Sequence, residues 1–170
     1  AGLILFLAAL FSPSHGILIR LIRRRMLAFS ILADDIVALL YRIQERNHET
    51  SATFQNLQTI LLSDRLSLKC VLYLLIRREQ VVPDGQEFRL TDSGTSSAQQ
   101  LVRSHRLWEQ YLASHTAVQP GSLHDKAEKF EHFTTRELRK QLSDATNSPD
   151  VDPHGREIPG ESVEQDSQTP

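Results

Sequence analysis

LSLKCVLYLLIRREQVVPDGQEFRLT, residues 66–91, carries two patterns in succession. In its first half Leu66, Leu68, Val71, Leu72, Leu74, Leu75 and Ile76 crowd a stretch without Gly or Pro. That predicts a helix over 66–78, with Ser63 or Asp64 suited to cap its start. In its second half QVV and EFRLT flank Pro83-Asp84-Gly85, two short β-capable runs around a turn sequence, which predicts a hairpin. Upstream, Ile31, Leu32, Ile36, Leu39, Leu40 and Ile43 recur at spacings of three and four, as in one amphipathic helix over 27–45 that ends at Asn47-His48-Glu49. A second helix is expected over 53–62. Three helices followed by a hairpin is the plan of a winged helix, expected over residues 28–95.

Downstream, Asp92-Ser93-Gly94 is expected to break the pattern. A long helix then follows over 96–117, with Leu101, Leu107, Trp108, Tyr111 and Leu112 as its apolar positions. Pro120-Gly121-Ser122 ends it and starts another that runs to about 133, and Thr134 or Thr135 caps a last one through 142. This all-helical part is expected over 96–160. From Ser143 on, the chain is rich in Asp, Pro, Ser and Gln, which points to an extended segment and then a disordered tail over 161–170. The fold class is therefore mainly α.

The composition, 40% apolar and 24% charged, is that of an ordinary globular chain, and a net charge of −2 provides no overall positive field for non-specific nucleic-acid binding. Any DNA contact needs a local basic patch. Cys70 is the one cysteine, which excludes an internal disulfide framework and a cysteine-rich zinc site. Residues 1–11, AGLILFLAALF, are apolar and end at Ser12-Pro13, ahead of the basic HGILIRLIRRR. Eleven residues are too few to span a bilayer, which takes roughly 20, and the first residue is not Met. Residues 1–27 are therefore expected to be the end of a longer transmembrane helix and its basic exit. Arg20, Arg23, Arg24 and Arg25 place everything after about residue 20 in the cytoplasm by the positive-inside rule. The alternative is a buried helix at the start of a soluble, cytoplasmic domain.

The chemistry concentrates between residues 105 and 132. His124, Glu128, Glu131 and His132 stand at i, i+4, i+7 and i+8, one stripe of a helix, and His105 and Glu109 stand at i and i+4 on the helix before it. Two antiparallel helices present six donors to one shared gap, enough for one metal or two. Glu128 and Glu131, like charges at i and i+3, gain nothing from each other without a cation. Imidazole and carboxylate without thiolate suit Mn²⁺, Fe²⁺ or Zn²⁺. Glu137 and His154 lack such company and read as structural, and His115 and His48 read as surface residues rather than ligands. No HExxH, Gly-rich phosphate loop or activated serine is present, and Ser104-His105 and Ser114-His115 are neighbours whose side chains diverge on a helix. The expectation is a non-enzyme.

The stretch LVRSHRLWEQYL…SLHDKAEKFEHFTTRELRKQL…SPDVDPHGREIPG, within residues 91–160, resembles the metal-binding and dimerisation domain of the diphtheria toxin repressor and manganese transport regulator family. An LTDSG-like loop behind a winged helix extends the likeness upstream. The resemblance implies that metal orders a homodimer and its first helix so that winged helices grip DNA. It places His105, Glu109 and His124 at an ancillary metal site and Glu128, Glu131 and His132 at a primary one, completed by Asp35 from the first helix. Glu128 stands where manganese-type members have Glu and iron-type members Cys, so Mn²⁺ is favoured over Fe²⁺. Ala38 falls where manganese regulators have a second first-helix ligand. The recognition-helix positions fall on Asp64, Leu66, Ser67 and Cys70, and Asp64 would repel phosphate. Arg65, Ser67, Lys69, Arg77 and Arg78 are the candidate DNA contacts.

LILFLAALFSPSHGILIRLIRRR is similar to the last transmembrane helix and cytoplasmic exit of the permease subunit of manganese/zinc/iron ABC transporters. Together the two resemblances imply a cytoplasmic metal-sensing domain at the C-terminus of a permease, partnered by the transporter's membrane and ATPase subunits. Metal-driven dimerisation would modulate transport. The alternative is a metal-dependent transcriptional repressor whose apolar beginning is an artefact of cloning or gene prediction. A third reading is a structural dimerisation module with a relic metal site.

Overall fold

The computed structural model describes residues 17–47, 50–116 and 122–161. They form α1 (Ile17–Asn47), β1 (Ser51–Thr53), α2 (Phe54–Ile60), α3 (Arg65–Arg77), β2 (Val81–Asp84), β3 (Glu87–Leu90), α4 (Asp92–His115), α5 (Leu123–Glu131) and α6 (Arg136–Ala145). The mainly helical plan expected from the sequence is what the chain adopts.

Within the winged helix, α1 contributes Ala33, Ile36, Val37 and Leu40 to a core completed by Leu57 of α2, Leu68, Val71, Leu72 and Leu75 of α3, Val81 and Leu90 of the hairpin and Ala98 of α4. Asp64 caps α3 by accepting hydrogen bonds from the Leu66 and Ser67 amides at 3.1 and 2.9 Å. The hairpin turns through Gly85 at φ +61°, a conformation that favours glycine. One strand is unforeseen. β1 pairs with β3 (Ala52 opposite Phe88) to give the antiparallel order β1-β3-β2. Three residues are too short to show a period of two, so β1 left no sequence signal.

Two boundaries differ from the expectation. α1 begins at Ile17, well before residue 27, because nothing between Gly16 and Asn47 interrupts a run of good helix formers. Arg20, Arg23, Arg24 and Arg25 lie exposed along its first turns. The expected transmembrane end falls mostly on residues 1–16, outside the described residues. Among the described residues no helix is long and apolar enough to cross a membrane.

The second difference is at Asp92-Ser93-Gly94, which does not break the chain but forms the first turn of α4. Thr91 caps it, accepting a hydrogen bond from the Gly94 amide at 3.0 Å and donating one to the Glu79 carbonyl. Gly94 is there for contact rather than for a turn, since a Cβ at this position would lie 1.9 Å from the Gln80 carbonyl oxygen. α4 thus runs unbroken from the wing into the second half of the molecule.

That second half has a small apolar core of Leu107, Leu142 and Ile158, with Trp108, Tyr111 and Leu138 packed against it. α6 continues past residue 142 to Ala145, and Asn147 and Ser148 at positive φ end it. The chain then folds back as an extended segment with a bridge between Val151 and Glu157. Glu161, where a tail was expected to start, bonds the Arg139 guanidinium at 2.6 Å and Arg103 at 3.1 Å. Residues 162–170 lie outside the described residues.

Burial works against ionisation of Glu161, but the hydrogen bond and charge of Arg139, followed by those of Arg103, outweigh it and hold the carboxyl below its ordinary 4.5. A depressed carboxylate pKa contributes stability that is present above the unfolded pKa and lost as pH falls through the folded one. Glu161→Gln is therefore expected to cost on the order of 1 kcal/mol at pH 7, after screening of this partly exposed group. The gap to the parent should close in urea melts run below the folded pKa. Equal stability of the two proteins at pH 7 would refute the clamp.

Candidate metal centre

α5 packs along its length against the second half of α4, and the face they share decides which side chains meet. On α4, His105 and Glu109 lie one turn apart on the buried side. On α5 the buried row is Leu123, Ala127 and Glu131, so Glu131 sits at the centre of the contact with its side chain 2% exposed. His124, Glu128 and His132 form the adjoining row. His124 reaches inward from that rim with its side chain 57% exposed. His132 does so from the C-cap of α5, and Glu128, between them, points to solvent.

Two clusters result where one shared gap of six was expected. In the first, His105, Glu109 and His124 bring donor atoms within 4.8 Å of one another, and in the second Asp35, Glu131 and His132 do the same. Glu128 belongs to neither. The resemblance implied the same partition of these residues, with Glu128 added to the second set.

In the first cluster the Glu109 carboxylate lies 3.1 Å from His105 Nε2 and 3.1 Å from His124 Nδ1. In the second, His132 Nε2 lies 3.5 Å from Asp35 and 3.9 Å from Glu131. Asp35 arrives from the middle of α1, so the winged helix supplies one wall. The clusters touch through His105, whose Nδ1 is 2.6 Å from the Glu131 carboxylate.

The protons in this centre follow from that geometry. Burial pushes the Asp35 carboxyl up to about 6; His132 pulls against it, while Glu131, Glu128 and Asp34 push the same way as burial. Burial also opposes ionisation of Glu109, but hydrogen bonds from His105 and His124 win and hold it down at about 2. His105 is raised because hydrogen bonds to Glu109 and Glu131 outweigh a burial that favours its neutral form. The Asp34 carboxylate raises His132 against a smaller effect of burial. Acid groups that repel one another around Asp35 gain from a shared cation, and a nitrogen-and-oxygen donor set without thiolate fits Mn²⁺, Fe²⁺ or Zn²⁺.

Some participants gave no sequence signal. Asp34 lies 3.3 Å from His132 Nδ1, on the side of the ring away from Asp35. A neighbour in sequence points elsewhere on an ideal helix, and only the position of His132 between the two makes both useful. Arg42, two turns beyond Asp35 on α1, comes within 3.8 Å of Glu131. Arg106 bonds Glu45 at the end of α1 and the Glu157 carbonyl, and its Nε is 3.7 Å from buried Asp152. It ties α1, α4 and the extended segment together beside the first cluster. Ala38 is buried and offers no donor.

The expectation that adjacent Ser and His diverge holds for Ser104, which donates to the Gln100 carbonyl, but not for Ser114, whose hydroxyl is 2.8 Å from His115 Nδ1. Near the end of α4 both groups turn back toward the Tyr111 carbonyl. His115 stacks on Tyr111 there, exposed.

On α3 Arg65, Lys69 and Arg77 are exposed, as is Arg78 at its C-cap, and Ser67 is half-buried. Asp64 is occupied in capping this helix, and Leu66 is 72% exposed in the first turn.

Residues 91–160 match the family described as iron dependent repressor, metal binding and dimerisation domain. A "Probable metal transport system membrane protein" of Chlamydia trachomatis is 33% identical over 94% of this chain and 36% of its own length. The "Diphtheria toxin repressor" of Corynebacterium glutamicum is 28% identical over 78% of this chain and 52% of its own. The chain therefore spans about a third of the first relative and half of the second. Among solved structures, "Manganese-dependent transcriptional repressor complex with manganese" superposes with a TM-score of 0.69 at 28% identity, over 76% of this chain and 59% of that one. The manganese regulator SloR gives 0.67 at 26% identity, over 76% and 60%. The relatives are regulators and transport-system proteins. The likeness of residues 91–160 is thus to the iron dependent repressor metal-binding and dimerisation domain, and the described chain shares its fold with the manganese-dependent repressors.

Proposed function

We propose that this chain is a metal-sensing regulatory domain. Mn²⁺ or Fe²⁺, with Zn²⁺ as a further candidate, is held by Asp35, Glu131 and His132 in one site and by His105, Glu109 and His124 in the other. Glu128 is near enough to bias the first electrostatically. The observation that carries this reading is the buried Glu131 carboxylate, which sits in one cluster and bonds the histidine of the other. The bound ion would supply positive charge where carboxylates crowd, and Asp35 would let that charge draw α1 toward α5.

Dimerisation through the second half is supported by the matched family and by the apolar side chains it exposes, Phe130 beside Trp108 and Phe133. We read the output as modulation of a metal transporter to which the domain is joined at the membrane. Support comes from the 94% coverage by a relative named as a metal transport membrane protein and from the permease-like beginning of the sequence. A second reading, metal-dependent repression through DNA, is favoured by the exposed basic residues of α3 in a winged helix. Fractionation of the native product separates the two: a soluble protein that retains a promoter fragment only with Mn²⁺ would sink the transporter reading.

The sensor itself is tested by titrating Mn²⁺ into the full chain while following heat, released protons and oligomeric state. With Asp35 raised to about 6 and both His105 and His132 raised from their ordinary value, metal binding competes with protons. Affinity is expected to weaken by about tenfold for each proton displaced per unit fall in pH between 8 and 6. Saturable binding with dimerisation supports the sensor. An affinity that is flat across that range, or no binding, overturns it.

A further inference from the structure

Charge on this chain is unevenly divided. Residues 17–33 and 65–78, the first half of α1 and α3 with its C-cap, hold eight of the 19 Lys and Arg and none of the 21 Asp and Glu. Of the carboxylates that bracket α3, Asp64 is occupied by the Leu66 and Ser67 amides and Glu79 lies beyond the C-cap. The same two segments expose apolar side chains. On α1, Leu21, Ile22, Met26 and Leu27 are each about half exposed or more, and Arg20, Arg23, Arg24 and Arg25 stand exposed among them. On α3, Leu66, Cys70, Tyr73 and Arg77 follow at i, i+4, i+7 and i+11, one exposed stripe. The two helices meet at a groove of about 290 Å³, lined by Met26, Phe29 and Ala33 from α1 and by Leu74, Leu75 and Arg78 from α3.

We propose that this surface, the first turns of α1 with the exposed stripe of α3, docks on an anionic lipid surface. The leucines and the tyrosine enter the interface and the arginines meet headgroup phosphates. Charge complementarity selects that occupant. A second copy of the chain, placed symmetrically, would set these cations against themselves. A nucleic acid would use the cations but leave exposed Leu66, Tyr73 and Leu74 facing phosphate. In the sequence, the apolar residues 1–11 lie just ahead of α1, an order that delivers its first turns to lipid. The proposal uses neither metal cluster, so the Mn²⁺ titration above and the test below succeed or fail separately.

Cys70, the one cysteine, is exposed in the middle of the α3 stripe and takes a polarity-sensitive fluorophore. The labelled full chain is mixed with phosphatidylcholine vesicles made with or without phosphatidylglycerol. The label reads the α3 face itself, whatever residues 1–11 contribute to holding the chain on a vesicle. Its emission is expected to shift to the blue on the phosphatidylglycerol vesicles alone, and salt should reverse the shift. Lys69→Gln with Arg77→Gln should move the balance between docked and free α3 about 20-fold toward free. Leu66→Ser with Tyr73→Ser should move it about tenfold or more. All four side chains are exposed, so both variants should melt like the parent. No shift, or the same shift on both kinds of vesicle, overturns the proposal. A shift given by a DNA duplex and not by vesicles assigns the surface to nucleic acid, and one that grows with protein concentration in the absence of lipid assigns it to a second copy; either overturns it as well.

Discussion

Glu131→Ala should abolish saturable metal binding at the Asp35 site and weaken binding at the other. The expected loss is at least about 100-fold in affinity, on the order of 3 kcal/mol. No other donor is as buried while touching both clusters, and the Arg42 guanidinium 3.8 Å away would be left facing a gap in their place. Stability without metal should respond differently. His105 bonds Glu131 and is raised by it. A group raised in the folded state contributes stability that is present below its unfolded pKa and lost as pH rises through the folded one. The metal-free variant is therefore destabilised most in mild acid, where a buried imidazolium loses a partner, and less at high pH, where what remains is the loss of the Arg42 contact. Calorimetry for the metal and denaturant melts at pH 6 and 9 measure the two effects separately. A variant that binds Mn²⁺ like the parent would remove Glu131 from the centre.

Gly94→Ala should be the most destabilising single-methyl change in the winged helix, by about 3 kcal/mol or more. The added Cβ would meet a backbone carbonyl at 1.9 Å, and Gln80 cannot yield easily because that same oxygen accepts the Thr91 amide at 3.1 Å. The cap of α4 and the base of the hairpin would have to move apart together. Ala at Gly160, where a Cβ meets nothing within 4 Å, is the control and should be nearly neutral. If the two substitutions gave the same midpoint in urea, the close approach at Gly94 would be wrong.

Where an element was long and periodic, reading it from residues succeeded. The helices at α1, α3, α4 and α5 and the hairpin around Gly85 all follow from spacing and turn chemistry. The donors fell into two clusters on the groupings that the resemblance supplied, because a helical row at i and i+4 survives folding unchanged. Failures came where tertiary contact decides. Asp92-Ser93-Gly94 has the composition of a break, yet Thr91 and the Gln80 carbonyl make it a helix start. The stripe through His124, Glu128 and His132 was right as a row, but Ala127 and Glu131 face α4, which turns Glu128 outward. Asp34 and Arg42 entered the site from a helix far away in sequence, and no local pattern announces such a meeting.

α1 is continuous from Ile17 to Asn47, held near one end where Arg106 grips Glu45, with Asp35 part of the way along. At 1.5 Å per residue, Asp35 lies about 15 Å from that fastening and Ile17 about 42 Å from it. The helix is thus a lever arm with a mechanical advantage near three: a displacement of about 1 Å, were a cation to impose it at Asp35, would become about 3 Å at the start of the helix. Because Ala33, Ile36, Val37 and Leu40 are packed into the winged helix, that whole body travels with the arm.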